Sequence, residues 1–525
     1  QLDERANRLS RAILHHAPAA ELVGVSATRG LEMVISLLAI LKAGKAYLPL
    51  DLAHPPQRLH QLVESSGVAI CLATSAEEVG FAEFGITVIA AEKEYDYPAQ
   101  AVTAPSEMVC VLYTSGSTGQ PKGVCLGHAG LSKLLRWQLQ NSVIGLGVNV
   151  LQFCYLGFDV SFLEIFGALA GGGTLYLLEE DCRADAGRLL DFLIDKQIAW
   201  AFLPYVALQY LTEAAAAEER YPSSLRELLT GGETLKITPQ ITHFFSALPH
   251  CRLSNGYGPT EASVYVACNK LASDVLSWPA LPPIGRPIAD SEVLILNEQG
   301  ELAGEGTIGE LCIVGECLAL GYLHQPALTA EKFSVYAHPQ RGPLRLYHTG
   351  DLARYLPTGE LEFQGRLDQQ VKIRGNRVEL GEIEVALARC AGVQQAVVLA
   401  REGKVGSAKV LVAYIVAHPE TEVAALRATL EQQLPDYMLP AHFVQLAELP
   451  KTPSGKVDRQ ALPSPARERP ATVPYRQPAT SFEKVVVELW ASLLEYNQIG
   501  ADDNFFELGG NSLLAQKTVA LLKQH

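Results

Sequence analysis

Apolar runs that end on glycine recur along this chain, and they restrict it to folds in which sheet strands give way to loops at a strand end. MVCVL leads into YTSGSTGQPKG (Tyr113–Gly123), LRELLTGGE breaks at Gly231 and Gly232, and CRLSNGYG breaks at Gly256. From Glu21 to Leu178 such runs alternate with amphipathic stretches, for instance VISLLAILKAG, which stops at Gly44. This alternation predicts an α/β architecture, and glycine breaks at strand ends are where such sheets bind ligands. Between Ala289 and Phe363 the pattern changes to SEVLILNEQGELA, GELCIVGE and GELEFQGR, a β-rich subdomain punctuated by glycine turns. Beyond Asp368 come β-prone QQVKIRGNRVEL, helix-like EIEVALARC, strands VVLARE and VLVAYIV, and a helix EVAALRATLEQQL stopped by Pro435. Together these make a small α+β unit.

The 525 residues exceed what one core holds, and roughly three or four folding units are expected. PSPARERPATVPYRQP, Pro463–Pro478, is Pro-rich and core-poor and reads as a semi-rigid linker. After it FEKVVVELWASLL forms an amphipathic helix, a loop follows, and a second helix is expected from Ser512. The boundaries read as 1–367, 368–462, a linker at 463–480, and a helical unit at 481–525. With a net charge of -15 and no long Lys/Arg run, the chain has no general attraction to nucleic acid or anionic membrane. Its 10 cysteines lie singly, without C-x-x-C pairs or metal-ligand spacing with His, which argues against a disulfide framework or structural zinc and for reduced thiols in the cytoplasm. Leu31–Leu41 is about half a bilayer span and reads as a buried helix. The opening LDERANRLSRAI is already helix-like and lacks a signal-type region, so a fragment cut at both ends is expected.

YTSGSTGQPKG is not a Walker A loop, because Gly119 is followed by Gln-Pro-Lys, yet its amides and hydroxyls can converge on phosphate. The string resembles the phosphate-binding signature of the adenylate-forming enzymes, and the resemblance recurs in order over essentially the whole chain. It implies nucleotide contacts at Thr114, Ser115, Gly116, Ser117, Thr118, Gly119 and Lys122. NGYGPTE resembles the adenine and magnesium motif, which implies Asn255, Tyr257 stacked on adenine, Gly258, Thr260, and Glu261 placing Mg²⁺, with Gly232 and Glu233 also at the nucleotide. YHTGDL is similar to the ribose motif, making Asp351 the acceptor of both ribose hydroxyls. GRLDQQVKIRGNRVELGEIE resembles the hinge motif, with Arg366 at the nucleotide and Asp368 the pivot. TPSGKVDR is similar to the C-terminal motif whose lysine, here Lys456, reaches the active site. By themselves YGPTE and TGD are turns and Lys456 is a solvated charge. GECLALGYL departs from the family at Leu320, where Arg is common, and no role is read there.

GFDVS resembles the motif that opens the substrate pocket of nonribosomal peptide synthetase adenylation domains, and it implies that Asp159 pairs with a substrate α-ammonium. The remaining pocket positions then fall on Val160, Leu163, Phe202, Leu229, Gly231, Gly256, Val264 and Tyr265. None is charged, and a charged substrate side chain would be buried without a partner. Phe202 and Tyr265 take up space while Gly231 and Gly256 return some, which favours Val, then Ile or Leu. DNFFELGGNSLLA resembles the phosphopantetheine attachment motif of carrier proteins, with Ser512 as the modified residue, a position equally suited to an N-cap. Family carriers continue for further helices, so this one is expected to be incomplete.

The resemblance therefore implies an α/β adenylation core of two α/β layers plus a β subdomain, a small α+β mobile subdomain, and an all-α carrier. The implied chemistry consumes ATP with Mg²⁺ and loads an amino acid onto 4'-phosphopantetheine on Ser512. Implied partners are the amino acid, a phosphopantetheinyl transferase, condensation, thioesterase or reductase domains, and a small helper protein, with no nucleic acid and no membrane. A freestanding acyl- or aryl-CoA synthetase shares the nucleotide motifs, but Asp159 and the carrier motif speak against it. A decayed scaffold is the other alternative, and against it Lys122, Glu261, Asp351, Arg366 and Lys456 all stand at motif positions.

Overall fold

The computed structural model describes residues 1–525 apart from 101–105, 117–118, 289–290, 402–408, 452–456, 466–473, 495, 506–507, 509, 511–513, 516–517, 520–521 and 523–525. The chain divides into two units, one of 1–114, 121–179 and 190–369, the other of 115–120, 180–189 and 370–525.

Three sheets build the first unit. The first runs in the order Gly321–Tyr322, Lys122–Gly127, Met108–Thr114, Ala46–Leu50, Leu22–Ser26, Ile70–Ala73, Thr87–Ala90. From Met108–Thr114 onward its neighbours are parallel, and the central strands LVGVS and AYLPL are buried almost throughout, as apolar runs covered on both faces must be. The apolar run at its flank is the helix Leu31–Lys42, which buries Met33 through Leu37, Ala39 and Ile40.

The second sheet runs Arg286–Pro287, Ala267–Lys270, Arg252–Tyr257, Glu227–Gly231, Trp200–Phe202, Asn149–Gln152, Thr174–Leu177. Its last five strands are parallel, so Tyr257, Gly231, Phe202 and Gln152 end along one edge. Gly231 and Gly256 are register partners, and a Cβ on Gly231 would lie 2.6 Å from the Gly256 carbonyl oxygen. Only glycine permits that approach. The third sheet is antiparallel: Glu292–Leu296, Gly309–Val314, Gly342–Tyr355 and Phe333–His338 in order, with Leu361–Arg366 also on Gly342–Tyr355.

The second unit holds the hairpin Val371–Ile373/Asn376–Val378, a sheet of Val393–Arg401, Val410–Ala417 and His442–Gln445, and the helices Leu380–Ala388 and Val423–Glu431. Leu380, Ile383 and Leu387 recur at helical spacing and bury one face against Val398, Leu411 and Leu430. The expected helix up to Pro435 is shorter than its sequence pattern: it closes at Glu431, and the Gln433 and Leu434 amides both return to the Leu430 carbonyl ahead of the proline. Helix Ser481–Leu494 begins with a capping box, in which Thr480 Oγ1 accepts the Glu483 amide at 3.1 Å and Glu483 accepts the Thr480 amide at 2.9 Å. Those backbone amides, Thr480 first, pull the Glu483 carboxyl down to about 2. Trp490 of this helix packs on Phe505 at 4.9 Å between ring centres. The expected helix start at Ser512 lies outside the described residues. All ten cysteines are free thiols, and among the described residues no helix is long and apolar enough to cross a membrane.

Candidate functional site

Two charged clusters stand in the first unit. Thr114 and Lys122 are opposite one another in the antiparallel register of their strands. Lys122 Nζ lies 3.2 Å from Glu261 Oε1, with side chains 8% and 0% exposed. The same carboxylate accepts the Tyr322 hydroxyl at 2.8 Å, and Lys122 Nζ sits 5.0 Å from the Tyr322 ring centre. Tyr322 belongs to the run in which sequence reading gives no role; its signal is the Gly-Tyr pair, which adds a short edge strand with Tyr322 opposite Val124. Desolvating two charges is expensive, so a buried ion pair is weak evidence for stability and a reason to look for another use.

The second cluster centres on Asp351, which lies opposite Arg366 in the strand register. The Arg366 guanidinium bonds Asp351 and forks onto Asp368 at 2.6 and 2.7 Å. Such fork geometry is the strong form of a charged hydrogen bond. Asp351 Oδ2 accepts the Tyr257 hydroxyl at 2.5 Å. Burial, and then the Asp351 charge, push that hydroxyl's pKa far above the tyrosine range. The residues assigned by resemblance to adenine and ribose are thus joined directly. Asp368 lies just before Gln370, where the second unit resumes.

The residues proposed to recognise substrate gather at the strand ends of the second sheet. Asp159 precedes helix Val160–Gly171, is 6% exposed, and accepts the Thr260 hydroxyl at 2.7 Å. Phe202 and Leu229 are cross-strand partners, as are Gly231 and Gly256, and a Cβ on Gly256 would meet Leu229 at 3.4 Å and Tyr265 at 3.7 Å. Val160, Leu163 and Val264 are buried. Val264 has φ 79, and the Tyr265 amide donates to the Ser263 carbonyl at 3.2 Å, closing a three-residue turn of the strained, positive-φ kind. A β-branched residue there is a backbone outlier of the sort that clusters at binding sites. One turn along the Asp159 helix, Glu164 is fully buried, and burial raises its carboxyl to about 7 against the pull of the Phe153 and Cys154 amides.

Thr114 Oγ1 is buried with no hydrogen-bond partner, an orphan of the kind a ligand oxygen satisfies. Asn255 donates to the Pro283 carbonyl at 3.2 Å. Gly232 has φ 82, in the left-handed region that favours glycine, and a Cβ on Gly258 would lie 2.3 Å from Tyr265 Cα, so position 258 admits only glycine. Glu233 is near Tyr205, whose hydroxyl is raised to about 12 by burial and then by that carboxylate. Ser115, Gly116 and Gly119 fall in the second unit. There the Ser115 hydroxyl donates to the Arg377 carbonyl at 2.8 Å and accepts the Glu379 amide at 3.2 Å, while the Gly116 amide donates to Glu382 at 3.3 Å. Gly119 has φ 77 beside Val385. Ser117, Thr118, Lys456 and Ser512 lie outside the described residues.

The buried Lys122–Glu261 pair, the Asp351–Arg366 pair and the glycine-only approach of Gly231 to Gly256 place charged groups and close backbone where a charged ligand can be held. The chain belongs to the AMP-binding enzyme family, whose model matches residues 1–323, followed by the AMP-binding enzyme C-terminal domain at 382–456 and a phosphopantetheine attachment site at 484–525. That order is the adenylation–carrier arrangement of nonribosomal peptide synthetases. Tyrocidine synthase 2 of Brevibacillus parabrevis is 37% identical over 100% of this chain, which spans 15% of that protein. Bacitracin synthase 3 of Bacillus licheniformis is 39% identical over 99% of this chain, which spans 8% of it. The solved structure of holo-PA1221, an NRPS protein containing adenylation and PCP domains bound to a vinylsulfonamide inhibitor, matches with a TM-score of 0.83 at 31% identity, over 100% of this chain and 87% of that one.

Proposed function

We propose that the chain uses ATP to activate an apolar α-amino acid, Val before Ile or Leu, and passes the acyl group to a phosphopantetheine thiol on Ser512. The observation that carries this reading is Asp159: a buried carboxylate, held by Thr260, among candidate substrate positions that are otherwise uncharged. The amino-acid carboxylate attacks the α-phosphorus of ATP; the new O–P bond displaces pyrophosphate and leaves an aminoacyl adenylate. Little covalent work falls to the protein, so positioning and charge stabilisation dominate. Lys122 and Lys456 supply cations to the phosphates, and Glu261 offers Mg²⁺ the hard oxygen donor it needs. Asp351 and Arg366 hold the ribose beside Tyr257. Ser512 would carry the phosphopantetheine arm, whose thiol would supply the nucleophile that takes the acyl group from AMP, with Asp368 as the pivot between the two steps. The setting is the cytoplasm, with a phosphopantetheinyl transferase, neighbouring synthetase domains and a helper protein as partners.

ATP–pyrophosphate exchange over a panel of acids tests this reading. Val is expected to give the highest rate, with Ile and Leu within about 10–200-fold, the worth of a methylene in an apolar pocket. Exchange with fatty or aryl acids alone would move the chain to the acyl-CoA synthetase-like class, and no exchange with any acid would make it a non-catalytic scaffold. Lys456→Ala is expected to lose exchange by about 10²-fold or more, as removal of a transition-state donor does. Thioester formation from preformed adenylate should fall far less, and equal losses in the two assays would refute a role confined to the first step.

A further inference from the structure

We infer that Glu310, Cys312 and His348 form a binding site for a thiophilic divalent cation of the Zn²⁺ class. Glu310 and Cys312 alternate along strand Gly309–Val314 and so share a face, and Cys312 lies directly across from His348. The register shifts between Glu310 and Cys312, an irregularity of the kind that re-aims side chains. His348 Nδ1 then lies 3.0 Å from Glu310 Oε2 and 3.6 Å from Cys312 Sγ, and the three donor atoms all fall within 4.8 Å of one another. A tetrahedral Zn²⁺ with bonds of about 2.3 Å to sulfur and about 2.1 Å to nitrogen and oxygen has an S–N edge of about 3.6 Å and an N–O edge of about 3.4 Å. The donor triangle is already close to that size.

The groups behind the donors are also in place. His348 Nε2 lies 3.0 Å from Ser334 Oγ, which fixes the ring and aims Nδ1 at the other two donors. The second oxygen of Glu310 accepts the Gly350 amide at 3.0 Å. Outer partners of this kind orient metal ligands and set their basicity. Side-chain exposures of 33% for His348 and 22% for Glu310 leave an entry path and room for water as a fourth ligand. Sulfur and imidazole donors select a soft or borderline ion over Mg²⁺. Cys312 is fully buried and keeps its thiol proton until a cation displaces it, so binding releases that proton to solvent and tightens as pH rises.

Titrating the full chain with Co²⁺ in excess Mg²⁺, with Zn²⁺ as competitor, tests the site. One equivalent is expected to produce a thiolate-to-cobalt charge-transfer band that Zn²⁺ abolishes and that Cys312→Ala lacks. His348→Arg keeps a cation opposite Glu310, which favours folding, but offers no lone pair, and is expected to weaken Zn²⁺ binding by about 100-fold or more. Ser334→Ala, which removes only the partner behind the ring, should lose about 10–100-fold. The absence of a thiolate band in the native chain, its persistence in Cys312→Ala, or equal Zn²⁺ affinity in all three variants would overturn the assignment.

Discussion

Asp159→Asn is expected to lower kcat/KM for amino-acid-dependent exchange by about 10²-fold to about 4 × 10³-fold, nearly all of it in the amino-acid KM, with the KM for ATP unchanged. Removing one partner of a buried ion pair costs about 3–5 kcal/mol, and about 1.4 kcal/mol is a factor of ten. In the proposed complex the variant leaves the substrate ammonium inside a buried site without its counter-charge. Asparagine matches the shape of aspartate and still accepts the Thr260 hydroxyl, now 2.7 Å from Asp159, so the fold is retained. Thr260→Val removes the hydrogen bond to Asp159, worth about 1 kcal/mol or roughly fivefold in the amino-acid KM, while any change in the KM for ATP reports the nucleotide contact that the resemblance also gives Thr260. Initial-rate measurements with varied amino acid and varied ATP separate the two KM values. An Asp159→Asn enzyme with native amino-acid KM, or with equal losses for both substrates, would remove Asp159 from its assigned role.

Local signals in this chain were legible, and contacts made by topology were not. Glycine breaks at Gly231 and Gly256 mark strand ends in the sequence, and the structure supplies the reason, a Cβ position on Gly231 only 2.6 Å from the Gly256 carbonyl oxygen. The amphipathic run FEKVVVELWASLL announces the helix Ser481–Leu494 by its spacing. The β-rich stretch beginning near Ala289 is equally plain in its turn spacing, and the third sheet covers it. Tyr322, by contrast, meets Glu261 across 61 positions, and Thr260 meets Asp159 across 101. Those meetings depend on which strands neighbour one another, which no local period encodes. The same holds for Cys312 and His348, 36 apart, whose separation has no metal-ligand spacing and which meet only as cross-strand partners. Val264 hides a positive φ behind a residue that ordinarily forbids it, so the turn that brings Tyr265 to Gly256 has no sequence signature. For Lys456 and Ser512 the resemblance alone supplies the reading.

Glu261→Gln is expected to abolish pyrophosphate exchange and to destabilise the chain by about 3–5 kcal/mol, the toll of leaving one charge of a buried pair without its counter-charge. Glu261 is 0% exposed and Lys122 8%, so the pair is largely shielded from solvent. The glutamine still accepts the Tyr322 hydroxyl, which confines the change to the lost charge. Two different uses of the pair predict different behaviour in the double variant Lys122→Met/Glu261→Gln. Stability should return to within about 1–2 kcal/mol of native, because an apolar side chain of similar size replaces the buried cation and nothing charged is left behind. Exchange should not return, because the hard oxygen donor proposed for Mg²⁺ and the cation proposed for the phosphates are both missing. Urea unfolding of the four proteins of the cycle measures the coupling, and exchange at saturating Mg²⁺ measures the chemistry. A double variant that regains exchange together with stability would make the pair a packing feature and remove Glu261 and Lys122 from the proposed mechanism.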